Sequence, residues 1–193
     1  SINMFITGGR AGHVAFFVML SILIIQVLDK KRISAFITII IAIPLIFFTA
    51  YQASDLFQKR VDLAVKEITH YSNEERSSIG IRINYAINSW QVIKKNPIIG
   101  VGTGDFPAEY SKINKINSPK MPETQNPHNM YTLVLTQLGL VGLFSLLSIF
   151  YYQIKYSYKS SSKFIRDVGI TLPLLFLVLM LSDSYLLGHF TTL

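Results

Sequence analysis

The sequence contains no cysteine, and charged residues make up only 15% of its 193 positions. The absence of cysteine excludes disulfides and thiolate metal sites within the chain. A typical soluble domain has about a quarter charged residues, so the low charge content argues against a soluble globular protein. No HExxH-like pair occurs, and the histidines and carboxylates show no spacing typical of a metal site. The sequence therefore predicts neither a metal nor another cofactor.

The hydrophobic residues, which are half of the chain, are concentrated in four blocks that are almost free of charge. A helix that spans a bilayer needs about 20 mostly apolar residues, and each block is close to that length. Asp183, in the last block, is the one acidic residue among them. The sequence thus predicts four transmembrane helices, at residues 11–28, 33–50, 129–151 and 168–188.

The connections between these blocks predict a topology. Residues 29–32 (DKKR) and 155–167 (KYSYKSSSKFIRD) are short and basic. By the positive-inside rule both lie on the cytoplasmic side, so residues 51–127 lie outside. We interpret the net charge of +7 as this topology signal and not as nucleic-acid binding. The predicted fold is all-α: two transmembrane helices within 1–50, a loop domain at 51–127, and two further helices within 128–193.

The external loop is too long to lack structure of its own. Residues 54–71 predict an amphipathic helix, and residues 77–95 predict a second one that ends at Asn96-Pro97. The spacing G-x-G-x-G at 100–104, without a preceding strand or a clear following helix, excludes a dinucleotide-binding fingerprint. It favours a tightly packed turn over the alternative, a nest of N–H groups near a phosphate. Residues 111–127 predict a polar loop. The apolar stripe of the second helix comprises Ile79, Ile83, Ala86, Trp90 and Ile93.

Two arginines are candidates for binding an anionic group. Arg10 lies at the outer edge of the first predicted span, and Arg82 flanks the apolar stripe of the second loop helix. A guanidinium stays charged and can donate two parallel hydrogen bonds, which suits phosphate. The ordinary alternatives stay open for both residues: an interfacial arginine that extends toward the headgroups at Arg10, and a solvated charge at Arg82.

A histidine lies at the outer boundary of the third predicted span, in NPHNMY at 126–131. Asn126 and Pro127 are typical of a helix start, as the cap and the first residue, and this leaves His128 and Asn129 unexplained. The pKa of histidine is the closest to neutrality of any side chain, so His128 is a candidate to accept a proton from an attacking hydroxyl. The alternative is a solvated imidazole beside a helix cap.

Asp183, in LSDSYLLGHF, is a second-rank candidate together with His189. An ionisable residue inside a span is a functional hypothesis by default. Pairing with a polar neighbour, or a place near the outer interface, would also explain Asp183.

Four stretches resemble, in their order, the O-antigen ligase family of bacterial membrane glycosyltransferases, which shares a fold with O-antigen polymerases. They are TGGR at 7–10, RINYA at 82–86, NPIIGVGTGDF at 96–106 and NPHNMY at 126–131. Their placement around one large external loop is also similar, and the chain's last residues look like the ligase branch of the family. The resemblance implies a GT-C-like helix bundle with a periplasmic loop, of which this chain would be the C-terminal portion.

The resemblance also implies a reaction. O-antigen would pass from undecaprenyl diphosphate to a sugar hydroxyl of lipid A–core, with inversion and without a metal, at the periplasmic face of the bacterial inner membrane. In the matching motifs, Arg10 and Arg82 would bind the diphosphate and stabilise it as the leaving group. His128 would act as the base or the orienting group at the acceptor hydroxyl. Asn129 and Asp183 are added as substrate-binding candidates.

Three other functions compete with this interpretation. An O-antigen polymerase would use the same donor but extend another lipid-linked glycan. A permease or flippase component would require charged residues at mid-span, where the sequence offers only Asp183. A structural membrane subunit would leave His128 and Asn129 unexplained.

Overall fold

The computed structural model describes residues 10–28, 31–69 and 77–186. Within these residues all regular structure is helical and no strand occurs, which confirms the predicted all-α class. The helices of the described residues are α1 (Arg10–Val27), α2 (Arg32–Ala53), α3 (Asp55–Thr69), α4 (Ser78–Lys95), α5 (Phe106–Asn117), α6 (Met130–Tyr158) and α7 (Lys163–Leu179).

The chain divides into two compact units. One unit comprises the residues up to Lys66 together with Ser157–Val178. The other comprises Glu67–Tyr156 and the residues from Leu179 onward. The second unit contains α4, α5 and nearly all of α6, and both His128 and Asp183 belong to it.

Aromatic side chains join α1, α2 and α3 in the first unit. Phe57 of α3 is 3% exposed. Its ring lies edge-on to those of His13 in α1 and Phe47 in α2, with centroids 5.0 Å and 5.3 Å apart. Helix α1 also contacts α7, since Gln26 Nε2 donates a hydrogen bond to the Asp167 carbonyl at 2.9 Å. These contacts hold the four helices of this unit together.

Two of the helices are long and apolar enough to cross a membrane. They are Ile33–Ala53 within α2, with 21 residues, and α6, with 29 residues. Helix α2 exposes large apolar side chains such as Ile41 and Phe48, both 61% exposed, as contact with lipid requires. Helix α1 is apolar but shorter, so the span predicted at 11–28 stays a prediction.

The last predicted span is not helical to its end, because α7 ends at Leu179 and turns follow. Ser182 Oγ donates to the Leu179 carbonyl at 2.8 Å, and Asp183 Oδ1 accepts from the Ser184 amide at 2.7 Å. Short polar side chains that bond to nearby backbone in this way compete with the helix. The span predicted at 168–188 is therefore wrong in its part from 180 to 186, and Asp183 lies in a turn.

Helix α4 confirms the second predicted loop helix but buries a different face. Trp90, in the predicted apolar stripe, is 53% exposed, whereas Asn88 and Ser89 are 0% exposed. The stripe therefore does not mark the buried side of the helix. The residues that α4 buries are Gly80, Asn84, Tyr85, Asn88, Ser89, Val92 and Ile93.

Helix α5 occupies part of the loop predicted at 111–127, and that part of the prediction is wrong. Its buried positions Phe106, Tyr110 and Asn114 recur every four residues. Because one of the three is polar, the apolar period is too short to be recognised in the sequence. The glycine turn is therefore followed by a helix. The dinucleotide fingerprint is still excluded, since the helix α4 precedes the turn where that motif needs a strand.

Helix α6 is interrupted at Gly139, whose φ of 63° and ψ of −160° are not helical. The turn after α4 fills this break with four backbone hydrogen bonds, which satisfy amides and carbonyls that the helix leaves unpaired. They run from Val101 to Thr136, from Gly102 to Gln137, from Leu140 to Pro97 and from Val141 to Ile98, at 2.9–3.1 Å. Unpaired backbone groups are costly in an apolar environment, so the break depends on this turn.

Glycine is required on both sides of that contact. Gly100 and Gly139 both have positive φ, of 72° and 63°. A Cβ atom on Gly100 would collide with the backbone of Gln137, and one on Gly139 would collide with the backbone of Ile98. The motif NPIIGVGTGDF is thereby attached to α6, the helix that follows His128.

Candidate active site

The segment before α6 forms a turn through its own side chains. Thr124 Oγ1 accepts from the Asn126 amide at 3.0 Å, and Asn126 Oδ1 accepts from the His128 amide at 2.9 Å. His128 has a φ of 53°, the left-handed region that few residues other than glycine adopt. Such a conformation persists where surrounding contacts enforce it. The turn therefore determines the position of His128.

The predicted helix cap is wrong by three residues. Helix α6 begins at Met130, and Asn129 caps it, with its Oδ1 accepting from the Thr132 amide at 3.0 Å. Asn126 instead bonds to His128, whose left-handed backbone prevents a helix from starting earlier. The imidazole is thus held by a turn just outside the helix.

Two further hydrogen bonds attach the start of α6 to the turn that follows α7. Asn129 Nδ2 donates to the Leu181 carbonyl at 3.1 Å, and the Met130 amide donates to the Met180 carbonyl at 2.9 Å. Both polar groups of the Asn129 side chain therefore have structural partners, and its predicted contact with substrate stays a prediction. The same two bonds bring Asp183 next to His128.

His128 and Asp183 form a pair, with Nδ1 and Oδ1 3.2 Å apart. The same Asp183 oxygen accepts from Asn126 Nδ2 at 3.2 Å and from the Ser184 amide at 2.7 Å. Because this carboxylate oxygen is an acceptor, the neutral imidazole carries its hydrogen on Nδ1 and leaves the Nε2 lone pair for a proton. The His128 side chain is 39% exposed, so a substrate can reach it.

Tyr85 of α4 covers one face of this imidazole. The two rings stack with centroids 6.1 Å apart and planes inclined by 18°. Tyr85 is 7% exposed, and it also lies edge-on to Tyr110 of α5 at 5.8 Å. His128 is consequently held on one side by Asp183 and on another by a buried aromatic ring.

Arg82 lies one helical turn before Tyr85 on α4 and is exposed. Side chains three positions apart are neighbours on a helix surface. The structure therefore places a residue with a guanidinium one turn from the ring that stacks on His128.

Two sequence candidates lie partly or wholly outside the described residues. Arg10 is the first residue of α1, and its side chain lies outside the described part of the chain. His189 lies beyond Leu186, where the description ends. The role predicted for Arg10 therefore remains a prediction.

A cluster of buried amides between α4 and α5 was not predicted. Asn88 Nδ2 donates to the side-chain oxygens of Asn84 and Asn114 at 3.1 Å each, and Asn84 Nδ2 donates to Ser118 Oγ at 2.8 Å. Burial raises the pKa of Tyr110, so its hydroxyl stays protonated and donates to Asn84 Oδ1 at 3.3 Å. The one signal in the sequence is RINYAIN, where two asparagines lie one helical turn apart.

The described part of the chain contains no group of three or more histidines and carboxylates that could hold a metal ion. His128 and Asp183 are two such side chains without a third. The predicted independence from metal stays a prediction that only the reaction can test.

A family model described as O-antigen ligase matches residues 1–147. The matched range includes Arg10, Arg82 and His128 and ends before Asp183. No curated protein gives a significant match.

Proposed function

The chain belongs to the O-antigen ligase family, and on that premise we propose that it transfers O-antigen polysaccharide from undecaprenyl diphosphate to a sugar hydroxyl of lipid A–core. The observation that carries this proposal is the pair of His128 and Asp183, with Nδ1 and Oδ1 3.2 Å apart. An imidazole that is oriented by a carboxylate through Nδ1 is arranged to act as a base through Nε2.

The reaction is a single displacement. The acceptor hydroxyl attacks the anomeric carbon of the donor sugar, and the bond from that carbon to the phosphate oxygen breaks. The hydroxyl proton passes to Nε2 of His128, and the lipid diphosphate leaves with the electron pair. Asp183 stabilises the imidazolium that forms. One displacement inverts the anomeric configuration, so the product linkage is the opposite anomer of the donor.

The arginines act on the leaving group. Negative charge grows on the diphosphate as the glycosidic bond breaks, and positive groups held near it lower the barrier most where the dielectric constant is low. We assign this role to Arg82, one turn from the ring that stacks on His128, and to Arg10 in the motif TGGR. Two guanidinium groups together neutralise the negative charge of the diphosphate, as a divalent metal ion does in other enzymes.

The site lies at the membrane boundary in this proposal. His128 is two residues before α6, an apolar helix long enough to span the bilayer. The basic connection at 29–32 supports a cytoplasmic location for that connection and, with it, a periplasmic location for residues 51–127 and the site. A lipid-linked donor and the lipid A–core acceptor both have their sugars at this boundary.

Deleting the gene and examining lipopolysaccharide separates a ligase from a polymerase. We expect lipid A–core without any O-antigen, and full-length polymer that accumulates on the carrier lipid, since polymerisation precedes the missing step. A plasmid that carries the wild-type gene should restore the attached polymer. Lipid A–core that carries single O-antigen units in the deletion strain would identify a polymerase and contradict the proposal.

A further inference from the structure

A cavity of about 580 Å³ adjoins the amide cluster in the second unit. Asn84 and Asn88 of α4 line one part of it, and Asn117 and Ser118 at the end of α5 line another. Ligand cavities commonly have volumes of about 300–1,000 Å³, so this one has room for a small organic group. Neither the family match nor the transfer mechanism assigns it a role.

The chemistry of the lining favours a sugar. A primary amide donates and accepts hydrogen bonds at once, and so does a hydroxyl group, which makes the two well matched. The accessible lining combines the amides of Asn84 and Asn117 and the hydroxyl of Ser118 with the side chain of Lys120 and apolar contacts from Ile87 and Met121. A pyranose has hydroxyl groups around its edge and C–H groups on its faces, and so needs both kinds of contact.

One buried acceptor in the cavity is weakly satisfied. Asn88 is 0% exposed, and its Oδ1 accepts from Asn117 Nδ2 at 3.5 Å, the outer limit of a hydrogen bond. Because Asn88 is not exposed, a sugar does not contact it directly. Its Nδ2 donates to Asn84 Oδ1 at 3.1 Å and so positions the amide of Asn84, which lines the cavity.

Helix α4 connects the cavity to the candidate catalytic residue. Asn84 lines the cavity, and the next residue, Tyr85, stacks on the ring of His128. A sugar bound in the cavity would therefore belong to a glycan whose neighbouring portion reaches His128.

We propose that this cavity is a glycan subsite, which binds one pyranose through the amides of Asn84 and Asn117 and the hydroxyl of Ser118, and thereby selects the glycan. The inference rests on the proposed transfer reaction. The bound pyranose belongs either to the donor polysaccharide or to the acceptor oligosaccharide, because both present the same hydroxyl and C–H groups.

Filling the cavity from an exposed position tests the subsite. Ile87 lines the cavity and is 49% exposed, so Ile87→Trp adds bulk there without disturbing the core. Ile116, on α5 and 78% exposed, is not among the lining residues and provides the matched control Ile116→Trp. We expect Ile87→Trp to raise the KM for one of the two substrates about tenfold, which is the usual effect of a lost pocket contact. Its kcat should stay within about twofold of wild type.

The full-length enzyme would be assayed with each substrate varied in turn. A higher KM for the lipid-linked donor assigns the subsite to the donor glycan, and a higher KM for lipid A–core assigns it to the acceptor. Asn117→Ala, at an exposed position, should raise the same KM, and Ile116→Trp should change neither. Unchanged KM values for both substrates in Ile87→Trp would overturn the inference.

Failure of the proposed function can be distinguished from failure of the subsite. If the wild-type protein transfers no glycan, ligand-observed NMR measures binding to the full-length protein instead. The two ligands are lipid-free O-antigen polysaccharide and core oligosaccharide. Weaker binding of either glycan to Ile87→Trp than to Ile116→Trp supports the subsite even without the transfer reaction. Equal binding by the two variants, or no binding by the wild type, overturns it.

Discussion

Replacing His128 with alanine is expected to lower kcat for glycan transfer about 100-fold or more, since a positioned general base contributes roughly 10²–10⁴-fold. The proton acceptor in the proposed reaction is the Nε2 atom of His128. The described turn before α6 contains no second histidine that could replace it. The measurement is initial-rate transfer by purified full-length protein with both substrates saturating. His128→Asn provides the stricter test, because an amide can replace the hydrogen bond to Asp183 but cannot accept a proton.

A purely structural role for His128 would give a different result. Then His128→Asn would recover much of the activity, and loss of activity in His128→Ala would accompany loss of folded protein in the membrane. Near-normal transfer by either variant would refute the assignment of His128 as the base.

Asp183 provides an internal check on the same pair. As a positioning residue it should matter less than His128, and Asp183→Ala should cost about 10–100-fold in kcat, the usual effect of losing an orienting partner. Asp183→Asn keeps an acceptor oxygen for His128, Asn126 and Ser184, so a smaller loss is expected. Equal activity of wild type and Asp183→Ala would show that the 3.2 Å contact does not orient the base.

Replacing Arg82 with alanine is expected to have the second large effect. We expect kcat to fall about 10²–10³-fold, as it does when other groups that stabilise developing charge are removed. Arg82→Lys should recover little of this loss, because an ammonium is a point charge and does not reproduce bidentate hydrogen bonding to a diphosphate. Lys94→Ala is the matched control, since Lys94 is also exposed on α4 but lies near its opposite end. That control should transfer glycan at the wild-type rate.

The lysine variant decides between two physical explanations. If Arg82→Lys transfers glycan as fast as wild type, attraction between charges is sufficient and geometric recognition is not required. If Arg82→Ala is itself as active as Lys94→Ala, Arg82 has no part in stabilising the leaving group.

Local patterns in the sequence predicted helices α3 and α4 but not the buried face of α4. Helices α3 and α4 lie where helical spacing predicted them. The buried side of α4 is rich in amides, however, and these depend on hydrogen-bond partners in α5. Periodicity of apolar residues cannot reveal such a face, because what makes burial of Asn88 tolerable lies 26 residues further along, at Asn114.

The candidate site was predictable as residue types and not as an arrangement. His128 was identified because its imidazole lies where an apolar span begins, and Asp183 because it is an acid within a predicted span. Their contact joins residues 55 positions apart. It depends on α7 ending at Leu179 and on the hydrogen bonds between the following turn and the start of α6. These hydrogen bonds join segments far apart in the chain and have no local signature in the sequence.

The most direct test of the central claim is glycan transfer by the purified full-length protein in lipid bilayers, with undecaprenyl-diphosphate-linked O-antigen, lipid A–core and excess EDTA. The account predicts that the wild type attaches polymer to lipid A–core under these conditions, with the opposite anomeric configuration to the donor, and that His128→Ala does not. Transfer that requires an added divalent cation, or equal transfer by wild type and His128→Ala, would contradict it.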